Sequence, residues 1–153
     1  MDNEKGSNQR PFGITAAELP SVAVRYSLYS SKSGAGVEEI YLYGDGRVTL
    51  RRTAAFNAEP EERQGIMPAG IFERLLEIAD DQRFEALDEE TLAKEPGLRR
   101  VLAVRFPGRE IQVIVDNIGN AQFERIVSAV IFAASLATPA VLQGRFFHLL
   151  GPI

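Results

Sequence analysis

The residues most able to do chemistry in this chain are its carboxylates. They fall into tight runs: Glu38-Glu39, Glu59/Glu61/Glu62, Asp80-Asp81 and Asp88-Glu89-Glu90. General acid/base catalysis needs two carboxylates in one cleft, in environments that pull their pKa values apart. Neighbouring acids on a loop or at a helix end are solvated instead. The run from Asp80 to Glu90 lacks the regular ligand spacing and central glycine of a calcium loop. The chain has no cysteine and one histidine, His148. Thiolate chemistry, disulfides and zinc–thiolate sites therefore have no ligands. No Gly-x-Ser-x-Gly turn offers a serine nucleophile to His148. Ser33-Gly34-Ala35-Gly36 and Gly44-Asp45-Gly46 are glycine-bearing, but a phosphate cradle needs its glycines between a strand and a helix N-terminus. Both of these lie between strands and read as turns. The expectation is a protein with no catalytic residues, no metal ligands and no cofactor, hence not an enzyme.

Residues suited to recognition are easier to find. Tyr41 and Tyr43 alternate with Ile40 and Leu42, so a strand there places both tyrosines on one face. Tyr29 can join them across a sheet. If helices cover the Ile40/Leu42 face, these tyrosines and arginines such as Arg25 and Arg51 line an open Tyr/Arg surface. Tyr and Arg are favoured at protein interfaces. Ordinary cross-strand pairing on a wet face is the competing explanation. Ser33, Gly34 and Gly36, in the loop after the first strand, are further candidates for partner contact. At the other end, the last helix carries two apolar stripes. Phe123, Ile126, Val127, Val130, Ile131 and Ala134 form one; Ala129, Phe132, Ala133 and Leu136 form the other. A helix on a sheet needs one stripe. The second must meet the first helix, the apolar tail with Phe146 and Phe147, or another chain. Phe132, Leu136, Phe146 and Phe147 are thus the candidate docking or oligomer interface.

The elements that position these residues follow from periodicity. The chain has 153 residues, 45% hydrophobic and 25% charged, with net charge −4. That is enough for one self-sufficient core, and the acidic balance argues against nucleic-acid binding. Residues 1–20 are polar, then punctuated by Pro and Gly, and read as a flexible arm, disordered or loosely docked. Alternation predicts strands at 22–30, 39–43 and 47–53, with Gly44-Asp45-Gly46 as a hairpin turn. Residues 54–65, acidic and proline-bearing, read as a loop. Ile71, Phe72, Leu75, Leu76, Ile78 and Ala79 recur at helical spacing and predict a helix over 68–80. Two further strands at 98–106 and 109–116 flank Pro107-Gly108, and a second helix covers 121–137. The expected fold is α+β in two layers. A mostly antiparallel five-stranded sheet, in the chain order β-β-β-α-β-β-α, carries both helices on one face. The domain spans 21–138, and 139–153 forms an apolar C-terminal extension.

The N-terminus shows no secretion signal. Residues 126–144 contain no charge, a length that could cross a bilayer. Their alanines, serines, Thr138 and Pro139 favour a buried helix over a membrane span. The expected compartment is the cytoplasm, in a bacterium.

The 26–37 strand and loop with Ser33-Gly34-Ala35-Gly36, the Tyr43-Gly44-Asp45-Gly46 hairpin, the Phe72-Glu73-Arg74-Leu75-Leu76 helix, the second hairpin and the closing helix together resemble emfourin-type proteins. These are small bacterial cytoplasmic inhibitors of thermolysin-like metalloproteases. The resemblance runs over residues 22–136. Those proteins carry a Ser-Gly-Gly-aromatic-x-Gly loop after the first strand, whereas the loop here has no double glycine and no aromatic. The resemblance implies this fold and, as a function, protease inhibition.

Two functions are therefore expected. The first is a non-enzymatic protein-interaction module, an inhibitor or regulator of a protein partner. The alternative is an assembly subunit that oligomerises, or docks on a larger complex, through its C-terminal helix and tail.

Overall fold

The computed structural model describes residues 11–30, 37–53, 59, 61–87, 90–91, 98–116, 121–139 and 141. Seven strands form one sheet: β1 Ala23–Ser30, β2 Val37–Tyr43, β3 Arg47–Thr53, β4 Glu61–Ile66, β5 Glu90–Thr91, β6 Leu98–Phe106 and β7 Arg109–Asp116. Among the described residues, two α-helices accompany the sheet, α1 Ile71–Asp81 and α2 Ala121–Ser135. The sheet order is β4-β3-β2-β1-β6-β7-β5. Every pairing is antiparallel except that of β5, two residues long, which adds in parallel at the β7 edge.

Period-two alternation sorts the side chains. Val24, Tyr26 and Leu28 of β1, Ile40 and Leu42 of β2, Val48 and Leu50 of β3, Leu102 and Val104 of β6, and Val113 and Val115 of β7 point into one core. Phe72, Leu75, Leu76 and Ala79 of α1 lie in that same core, a stripe spaced as helical periodicity requires. So do Phe123, Ile126, Val127, Val130, Ala133 and Ala134 of α2. Both helices thus lie on one face. Val101 and Ala103 point the other way; they are buried but separate from this core.

The expected five-stranded sheet is corrected here. The sheet has six antiparallel strands plus the two-residue β5, and the strand missed lies in the segment read as a loop. The inward positions of β4 are Glu61, Arg63 and Gly65, so the apolar alternation that marks a half-buried strand is absent. Backbone pairing with β3 makes the strand, aided by an ion pair between Arg52 Nη1 and Glu61 Oε1 at 3.5 Å. Charged side chains on a short edge strand also discourage edge-to-edge association. Gly65 is required by close approach. A Cβ there would lie 2.6 Å from the Pro139 carbonyl oxygen, because the chain after α2 crosses over β4. Thr138 and Ile66 exchange backbone hydrogen bonds at that crossing, both 2.9 Å.

Residues 11–20, the described part of the expected arm, lie against the domain. Ile14 is buried, the rings of Phe12 and Phe106 are 5.2 Å apart, and the Phe12 amide donates to Asp80 Oδ2 at 3.2 Å. The Leu19 carbonyl oxygen sits 1.7 Å from where a Cβ on Gly44 would be. Gly44 therefore serves as the seat of the N-terminal segment, while Gly46, at φ +100°, supplies the left-handed backbone of the hairpin turn. Among the described residues, no helix is long and apolar enough to cross a membrane. α2 stops at Ser135, and Thr138, in the uncharged stretch beyond it, pairs with Ile66 of β4.

Candidate functional site on the outer sheet face

The face opposite the helices is built from the odd-numbered residues of β1, β2, β3 and β6. In register across it, Thr49, Tyr41, Arg25, Ala103 and Gln112 make one row; Glu62, Arg51, Glu39, Ser27, Val101 and Ile114 make the next. Tyr41 and Tyr43 stand two residues apart on β2, and their rings stack at 6.4 Å between centroids with only 9° between planes. The Arg47 guanidinium lies 4.4 Å above the Tyr43 ring and is itself held by Asp45, Nε to Oδ2, at 2.8 Å. Each of these contacts limits the side-chain freedom of the aromatic pair.

A polar chain runs beside it. The Tyr41 hydroxyl donates to Glu39 Oε2 at 3.1 Å, and the Ser27 hydroxyl donates to the same oxygen at 3.5 Å. Arg25 donates to Ser27 Oγ at 3.0 Å and, through its other terminal nitrogen, to Gln112 Oε1 at 3.4 Å. In register Ala103 lies between Arg25 and Gln112, so this arm passes over β6, and the small side chain leaves room for it. Burial, and then the charge and hydrogen bond of Glu39, raise the Tyr41 pKa above its ordinary 10.0. Alongside, Arg47, Thr49, Gln64, Ile66, Thr138 and Pro139 line a shallow groove of about 270 Å³.

The pleat also separates the paired acids. Glu39 faces outward, whereas Glu38 points inward and is 1% exposed. Arg52 Nε lies 3.7 Å from Glu38 Oε2. On the same inner face Arg100 forms a two-pronged ion pair with Glu124 in the first turn of α2: Nη1 to Oε1 at 3.0 Å, and Nη2 to Oε2. Its guanidinium lies 5.1 Å from the centre of the Phe123 ring, and it hydrogen-bonds with the Tyr26 hydroxyl. Burial raises the Tyr26 pKa, and Arg100 only partly reverses this. Burial also works against the Arg100 charge, but Glu124 and Tyr26 outweigh it and hold the guanidinium protonated. Each acid of this cluster faces a cation: the Glu38–Arg52 pair links β2 to β3, and the Arg100–Glu124 pair anchors α2 to the sheet. Sequence reasoning missed these inward charges. Their signal was present, since residues 38, 52 and 100 occupy the core-facing phase of their strands.

Of the residues singled out from sequence, Tyr41 and Tyr43 come together on the outer face and both are half-buried. Arg25 and Arg51 share that face. Tyr29 also faces outward but pairs with Val37 and Arg99, two cross-strand rows from Arg25 and Tyr41, with the Ser27/Glu39 row between. Phe132 is 62% exposed and Leu136 is half-buried. The other members of the second stripe, Ala129 and Ala133, pack at or into the core. Ser33, Gly34, Gly36, Phe146, Phe147 and His148 lie outside the described residues. Among the described residues, no group of three or more histidine, aspartate or glutamate side chains could hold a metal ion. No family model matches the chain, and no curated protein has a matching sequence.

Proposed function

We propose that this chain is a non-enzymatic protein-interaction module of the cytoplasm that meets a protein partner with the outer face of its sheet. One observation carries the reading: the stacked Tyr41/Tyr43 pair, with Arg47 over it, on a face that neither helix covers. Tyr and Arg dominate the energetics of protein interfaces, and most so when they are rigid beforehand. Tyr29 extends the surface along β1, and Ser33, Gly34 and Gly36 are a second contact in this reading. Inhibition of a bacterial thermolysin-like metalloprotease is the form of the function that the resemblance to emfourin-type proteins favours.

The test is a Tyr41→Ala/Tyr43→Ala double variant. Both side chains lie outside the core, so the far-ultraviolet circular dichroism should match that of the native chain. Pull-down from a source lysate should lose the partners that the native chain retains. A variant that keeps every partner removes the outer face from consideration. A second reading, assembly through α2, draws on one observation: Phe132 projects from the helix, 62% exposed.

A further inference from the structure

We draw no further inference here: the strongest candidate, the groove between β3, β4 and the Thr138–Pro139 crossing, borders the tyrosine pair already described, and nothing in the structure shows what would fill it.

Discussion

Tyr41 is subject to two influences that act on its proton in the same direction. Its hydroxyl is partly withdrawn from water, and the carboxylate accepting its hydrogen bond would repel a phenolate. Glu39→Gln removes the repulsion and leaves the burial. The phenolate absorbance of this variant should therefore rise at lower pH than that of the native chain, for one of the four tyrosines. Superimposable titration curves would show that Glu39 does not control Tyr41. Tyr26 and Tyr41 both hold their protons more tightly folded than unfolded. The stability they contribute is complete below the unfolded value near 10.0 and is lost as pH climbs from there through the raised folded values. Arg100 makes a separate prediction at this scale. Glu124→Ala removes its two-pronged partner where the Arg100 side chain is only 10% exposed. Losing one half of a fully buried pair costs about 3–5 kcal/mol. Glu124 is itself partly in water, so about 1–3 kcal/mol is expected. Urea denaturation measures it, and an unchanged midpoint would mean the clamp adds nothing.

The elements show which parts of the fold were legible. β1, β2, β3, β6, β7 and both helices announced themselves because each carries a clean apolar period, as in Ile40/Leu42 or Phe72/Leu75/Leu76/Ala79. The tyrosine face followed from the same alternation: once Ile40 and Leu42 face in, Tyr41 must face out. β4 was hidden because its pairing is made by backbone while its inward side chains are Glu61, Arg63 and Gly65. Burial of Glu38 and Arg100 was legible in the alternation, which puts both at core-facing positions, but the partners that accommodate them, Arg52 and Glu124, were not. The seating of residues 11–20 was not visible either, since it rests on the missing side chain of Gly44, which receives Leu19, and on distant contacts such as those of Phe12 with Phe106 and Asp80. That seat is testable. Gly44→Ala forces a Cβ against the Leu19 carbonyl, a backbone atom that cannot rotate aside. Overpacking of this kind costs about 1–3 kcal/mol. Amide exchange should accelerate across residues 11–22 and remain slow in α2. Equal protection of the N-terminal segment in both proteins would contradict the tight fit.

At the scale of the molecule, the two functional readings use opposite faces and separate by mass. Under the assembly reading, light scattering gives a particle heavier than one chain, and Phe132→Glu returns it to a single chain by placing a charge in the contact. A native chain that scatters as a monomer ends the self-association form of that reading and leaves the sheet face untouched. The outer face also has a history written into its sheet order. β1 to β4 come from the first half of the chain and β6 and β7 from the second, and they meet only at the β1–β6 seam. Arg25 reaches across that seam to Gln112, 87 positions away in sequence. A ribosome that has released only the first four strands has already made both tyrosines, but not the residue on which the guanidinium comes to rest. The complete surface thus exists only once the chain has been made through β7. A partner that reads Arg25 in its bridged position would discriminate such a chain from fragments that end before Gln112.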